Sequence, residues 1–272
     1  MNICFIGGGN MATALISGLL KRGHSPSKLH VVEINSANCK RLHNEFGVRA
    51  SADLAEGINH CGFIVLAVKP QQLHEVAKQI APLLSNQVVI SIAAGVRAQD
   101  LVRWTGTQNI VRAMPNTPAL IRSGMTGLYA LPEVSEEHRH AAQSILGAVG
   151  DTLWLEDEAM MDAVTAVSGS GPAYVFYFIE AMQQAACELG FSNENARRLV
   201  LDTFSGATKL VCASEDNVSM LRERVTSKAG TTERALSYME ANNVKRHIIA
   251  AVHAAAARAR EMGDELGGID VE

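Results

Sequence analysis

Short, continuously apolar runs alternate with amphipathic stretches through the first half of the chain. Residues 2–6 form one such run, followed by a glycine turn and an apolar-periodic helix over 10–21. The same rhythm predicts strands at 29–33, 63–68, 88–92 and 109–112, with helices over 36–46 and 71–80. Strands apolar on both sides, separated by helices, predict a parallel sheet covered on both faces with right-handed crossovers. After Trp154 the strand pattern stops, and 158–167, 172–190, 193–213, 216–226, 231–242 and 245–264 all carry helical periodicity. The expected division is therefore an α/β domain over 1–156 and an all-α domain over 157–272. The helix over 173–189 is apolar almost around its circumference. Such a helix needs burial on every side, from a partner subunit or as the centre of a monomeric bundle.

Composition narrows the partners. The 272 residues are 47% hydrophobic and 19% charged, with net charge −4 and only 5% aromatic residues; mean hydropathy is +0.07. This balance supports a packed core and supplies no basic field or stacking platform for nucleic acid or an anionic membrane. No apolar run approaches the ~18 residues of a membrane span. The opening residues lack a basic leader region. Five scattered cysteines without a C-x-x-C pair predict neither a disulfide scaffold nor a zinc module, and a reducing cytoplasm is expected. No metal site is expected.

The first chemistry lies in the turn after the first strand. Gly7-Gly8-Gly9-Asn10-Met11-Ala12 has the form G-x-G-x-x-A at a strand–turn–helix junction. There Gly7 permits a tight turn, Gly9 a close approach by pyrophosphate, and Ala12 close packing of helix on sheet. The pattern predicts a Rossmann-like, doubly wound sheet that binds a dinucleotide. Glu33 stands 21 residues after Ala12, where a carboxylate accepts from ribose hydroxyls and favours NAD. Asn35, Ser36 and Lys40 nearby leave NADP open. Other loops expected at the carboxyl ends of strands are Ala67-Val68-Lys69-Pro70, Ala93-Ala94-Gly95 and the turn containing Asn116. Lys69 is either a cofactor contact or a surface lysine. Asn116 is either a partner for a nicotinamide amide or an Asx-turn residue.

The helical half has two hydroxyl-rich entrances, Ser168-Gly169-Ser170-Gly171-Pro172 and Val225-Thr226-Ser227-Lys228-Ala229-Gly230-Thr231-Thr232. Both read as helix caps that also offer hydroxyls and free N–H groups to a carboxylate. No H-E-x-x-H motif, G-x-S-x-G elbow or histidine–carboxylate pair suggests another hydrolytic or alcohol-oxidising chemistry. A related imine or β-hydroxyacid dehydrogenase and a non-catalytic cofactor-binding regulator are the competing readings. Lys209 is the only mid-helix candidate for a lysine base.

Taken together, these stretches, with Arg112-Ala113-Met114-Pro115-Asn116-Thr117-Pro118 and the segment from Asp162 to Tyr174, resemble the pyrroline-5-carboxylate reductase family over nearly the whole chain. The resemblance implies NADPH- or NADH-dependent reduction of (S)-1-pyrroline-5-carboxylate to L-proline. It also implies an N-terminal Rossmann domain and a C-terminal dimerisation domain, with the dimer in several members built into a decamer. By position it implies cofactor contacts at Ile6, Gly7, Gly8, Gly9, Asn10, Met11, Glu33, Ala67, Val68, Lys69, Pro70, Ala93, Ala94, Gly95 and Asn116. Substrate contacts fall at Glu158, Ser170, Gly171, Glu215, Gly230, Thr231 and Thr232, with Thr232 as the catalytic residue. Many members have proline and glycine where this chain has Lys228 and Ala229.

Overall fold

In the computed structural model, residues 1–268 are described. They form two compact units, Met1–Ser170 with the chain from Ala254 onward, and Gly171–His253. The first unit holds an eight-stranded sheet in the order β3-β2-β1-β4-β5-β6-β7-β8. Its strands are β1 (Ile3–Ile6), β2 (Leu29–Val32), β3 (Arg49–Ser51), β4 (Phe63–Leu66), β5 (Val88–Ser91), β6 (Ile110–Met114), β7 (Gly124–Ala130) and β8 (Gly150–Trp154). The first six run parallel in the 3-2-1-4-5-6 order of a Rossmann sheet. β7 runs antiparallel to β6, with Arg112 opposite Tyr129, and β8 pairs parallel with β7.

The apolar runs follow from two covered faces. Alternate residues of each strand point to opposite sides, so Ile3, Phe5, Val31 and Val65 join one core with Leu15 and Ile16 of α1 (Asn10–Lys21) and Leu42 of α2 (Ser36–Phe46). Cys4, Ile6, Ile64 and Leu66 join the other. There they meet α3 (Leu54–Ile58), α4 (Pro70–Ile80) and α5 (Ala98–Thr105). α6 (Glu136–Leu146) closes the first core through Ile145 and Leu146. α7 (Met160–Val164) runs directly into a π-helical turn over Thr165–Gly169.

The second unit contains α8 (Gly171–Glu188), α9 (Asn193–Ala213), α10 (Val218–Arg224), α11 (Thr231–Ala241) and the start of α12 (Val244–Gly267). These compact units divide at Ser170, and the described chain from Ala254 onward belongs to the first unit. The cause is visible in the side chains. Met262 and Leu266 pack on Gly95, while Arg97 pairs with Asp264 at 2.6 Å and Arg103 donates to the Gly267 carbonyl at 2.7 Å. Within residues 171–253 only Ala196 and Val200 are buried. Phe176, Tyr177, Leu189 and Tyr238 are 63–81% exposed, an apolar surface that a single chain leaves uncovered.

Candidate active site

The dinucleotide turn is built by geometry as well as composition. Gly7 adopts φ +99°, and a Cβ there would lie 2.6 Å from the Ala67 carbonyl oxygen. Only glycine meets both constraints. Its N–H donates to the Val32 carbonyl at 2.8 Å, tying the turn to β2. At Gly9, by contrast, a Cβ would meet no atom within 4 Å, so the backbone is bare on an open side. Gly9 is also the N-cap of α1, with no side-chain cap and no acidic residue in the first turn. Unfilled N–H groups and the positive end of the helix dipole therefore face a position suited to an anion. Ala12 is 1% exposed, allowing α1 to press onto the sheet.

A cleft of about 1270 Å³ runs from this turn. Ile6, Gly7, Gly8, Gly9, Glu33, Asn38, Arg41, Ala67, Val68 and Lys69 are among its lining residues. Apolar walls with a few polar groups and a bare glycine edge fit a nicotinamide dinucleotide. Asn10 and Met11 open α1 beside the turn, Lys69 is the exposed N-cap of α4, and Pro70 is its first residue. Glu33 is more than a rim acid. Its Oε2 accepts from the Gly8 N–H at 3.2 Å and the Asn38 amide at 2.8 Å, and its Oε1 from the Asn35 N–H at 2.9 Å. Partial burial alone would raise its pKa. Hydrogen bonds from Asn35, Asn38, Gly8 and Ile34 outweigh that burial and hold the carboxyl below the ordinary range.

Several expected residues take different partners. Gly95 has φ +78°, and its bare side faces Met262 Cβ at 3.1 Å and Leu266 Cδ1 at 3.2 Å. Its small size therefore seats α12, while Ala93 is buried and Ala94 half-buried. Asn116 donates to the carbonyl and hydroxyl of Ser168 at 3.3 and 3.1 Å and accepts from the Met125 N–H at 3.0 Å. This locks the turn after β6 to the π-helical turn. Gly169 sits against Met114, where a Cβ would come within 2.6 Å of Cε.

The expected cap at Ser170 and Gly171 is corrected by the same turn. Ser170 is in the right-handed helical region and its N–H donates to the Thr165 carbonyl at 2.8 Å. The chain does not break before Pro172, so that N–H is not free for a carboxylate. Glu158 accepts at Oε1 from Arg112 Nη1 and from the Ala98 N–H, both at 2.6 Å. It neutralises a buried arginine and satisfies the first turn of α5. Tyr129, opposite Arg112, titrates high because of burial and then the nearby Glu158 and Asp157 charges. Arg112, Asn38 and Arg41 had no assigned role in the sequence reading. The available signal for Arg112 was a single charge inside an apolar strand.

In the second unit, Gly230 is the N-cap of α11 without a side-chain cap. Its N–H closes the turn onto the Ser227 carbonyl at 3.0 Å. Ala229 adopts φ +58°, and its N–H donates to Glu233 Oε2 at 2.6 Å. Thr231 is exposed and Thr232 half-buried. Thr231 borders a shallow hollow with Arg234, Ala235, Tyr238 and Met239. Glu215 lies exposed between α9 and α10. Among the described residues, no three His, Cys, Asp or Glu side chains cluster to hold a metal ion, and no helix is long and apolar enough to cross a membrane.

Residues 158–262 match the domain family described as pyrroline-5-carboxylate reductase dimerisation. Residues 2–95 match the one described as NADP oxidoreductase, coenzyme F420-dependent. The chain is 43% identical over 267 residues to a pyrroline-5-carboxylate reductase of Pseudomonas aeruginosa, covering 97% of this chain and 98% of that one. The chain belongs to the pyrroline-5-carboxylate reductase family. A family structure from Coxiella burnetii superposes with a TM-score of 0.90 at 39% identity, covering 96% and 98% of the two chains. One from Plasmodium falciparum, with NADP bound, superposes with a TM-score of 0.87 at 31% identity, covering 97% and 98%. A Streptomyces aurantiacus imine reductase shares the fold, with a TM-score of 0.57 at 16% identity.

Proposed function

We infer that this chain is an NAD(P)H-dependent pyrroline-5-carboxylate reductase, reducing (S)-1-pyrroline-5-carboxylate to L-proline in the last step of proline biosynthesis. The observation that carries this reading is the bare Gly9 edge at the uncapped start of α1, opening on a 1270 Å³ cleft in a chain of this family. A bound nicotinamide supplies the hydride that adds to the imine carbon. The substrate brings its own proton as the iminium, so the protein needs no histidine relay, and its work is positioning, worth up to ~7–11 kcal/mol.

In this reading the dinucleotide lies along Ile6 to Met11, Glu33, Ala67 to Pro70 and Ala93 to Ala94. The N–H groups of Thr231 and Thr232, which follow Gly230 at the positive end of α11, hold the substrate carboxylate. The Thr232 hydroxyl oxygen accepts from the iminium N–H of the ring, and Glu215 favours the cationic imine. Glu158 anchors Arg112 and α5, and Asn116 with Ser168 stiffens the turns beside the nicotinamide end. Residues 157–272 serve as the dimerisation and substrate domain of a homodimer, which can be built further into a decamer. The almost uncovered apolar helices of 171–253 support this assembly. A cytoplasmic location accords with five free cysteines.

The test is Thr232→Ala. Turnover with pyrroline-5-carboxylate should fall at least roughly tenfold, the scale of one lost transition-state hydrogen bond. Dinucleotide Kd should stay within twofold. Unchanged kcat would remove Thr232 from the reaction.

A further inference from the structure

We propose that Glu33 makes this reductase select the dinucleotide without a 2′-phosphate, so that NADH is its preferred reductant over NADPH. The inference rests on the functional reading above and deepens it. In a Rossmann sheet the residue just past β2 meets the adenosine ribose, and here that residue lines the cleft with Gly8, Asn35, Asn38 and Arg41.

Two features make Glu33 a fixed barrier rather than a movable side chain. Its carboxylate is held by three N–H donors, from Gly8, Asn35 and Asn38, at 2.8–3.2 Å. The Asn38 amide also donates to the Gly8 carbonyl at 3.0 Å, so one clasp joins the acid to the phosphate turn. Swinging Glu33 away would break all three bonds and leave the buried Gly8 N–H without its acceptor. The charge is also uncompensated toward the cleft. Arg41 is the arginine on this wall, and its guanidinium is committed elsewhere. Nη1 pairs with Glu45 at 2.9 Å, Nε donates to the Asn38 side-chain oxygen at 2.9 Å, and Nη2 to the Thr13 hydroxyl at 3.2 Å. Lys69 lines the cleft too, but as the N-cap of α4, after β4. A ribose hydroxyl can still donate to Glu33, because a carboxylate oxygen accepts more than one hydrogen bond. A 2′-phosphate brings only acceptor oxygens and like charge.

The experiment measures Kd of NADH and of NADPH for the wild-type oligomer by nicotinamide fluorescence without substrate. It repeats the measurement on Glu33→Gln and Glu33→Ser, each checked for an unchanged oligomer and melting profile. The wild type is expected to bind NADH about tenfold or more tighter than NADPH. Both variants should move that ratio toward NADPH by about tenfold or more, and added salt should narrow the wild-type preference. Equal or tighter wild-type binding of NADPH overturns the inference, as does a ratio that neither variant moves, while the functional reading stands. Selective NADH binding without its oxidation by pyrroline-5-carboxylate upholds the selectivity and overturns the functional reading. Binding of neither dinucleotide overturns both.

Discussion

Removing the Glu158 carboxylate should unfold the first unit more readily before it affects substrate. Arg112 and Glu158 meet at 2.6 Å with side chains 7% and 22% exposed, so the pair is largely out of water. Truncating one partner of such a pair leaves an unpaired buried charge, which costs about 3–5 kcal/mol. Glu158→Ala also strips the acceptor from the Ala98 N–H at the first turn of α5, a cap-like loss of ~1 kcal/mol. Because Glu158 keeps some solvent contact, the lower end applies, about 3–4 kcal/mol in all. At roughly 2–4 °C per kcal/mol for a domain of this size, Tm should fall by about 10 °C. Arg112→Met combined with Glu158→Met should recover most of that loss, since an apolar pair leaves no orphan charge. Calorimetry on Arg112→Met, Glu158→Met and the double variant closes the cycle. A Glu158→Ala protein that melts with the wild type but shows a raised KM for the imine would refute this assignment and restore Glu158 to the substrate.

Other outcomes follow from single features. Gly9→Val should fold normally, because nothing lies within 4 Å of the added Cβ, yet weaken dinucleotide binding at least about tenfold by filling the space above the N–H groups; unchanged Kd would place the cofactor elsewhere. Ala229→Gly should stabilise the protein by about 1 kcal/mol, because φ +58° strains a residue with a Cβ, and urea unfolding with no gain would contradict the strain. His24 and His30 both titrate below the ordinary 6.5, chiefly through burial. Between that lowered value and 6.5 the unfolded histidines bind protons that the folded ones do not. Stability should therefore decline as pH falls through 6.5, and equal urea midpoints at about pH 7.5 and pH 5.5 would contradict this.

The parallel strands were legible because both faces of the sheet are covered, so β1 and β4 carry unbroken apolar runs and β2, β5 and β6 are interrupted only by His30, Ser91 and Arg112. β7 was not, because Gly124, Thr126 and Gly127 interrupt its pattern. Gly127 is small for a tertiary reason, as Val164 would lie 2.8 Å from its Cβ. β3 spans only three residues and β8 alternates as a partly exposed strand, too little apolar periodicity to stand out. The phosphate turn was readable from glycine spacing, which encodes local backbone geometry. Gly95 was not separable in that way, since its partners Met262 and Leu266 lie 167 and 171 residues on. The Glu158–Arg112 pair and the Ser170 bond to Thr165 are likewise invisible without the fold. One depends on a side chain crossing to another element, the other on a turn carrying an extra residue.

In the proposed reaction the bare edge of α1 holds a reducing dinucleotide that serves a cyclic imine. The decisive measurement is loss of nicotinamide absorbance in the purified protein with and without pyrroline-5-carboxylate. Oxidation should require the imine and yield proline in equal amount. Tight dinucleotide binding with no imine-dependent oxidation would contradict it.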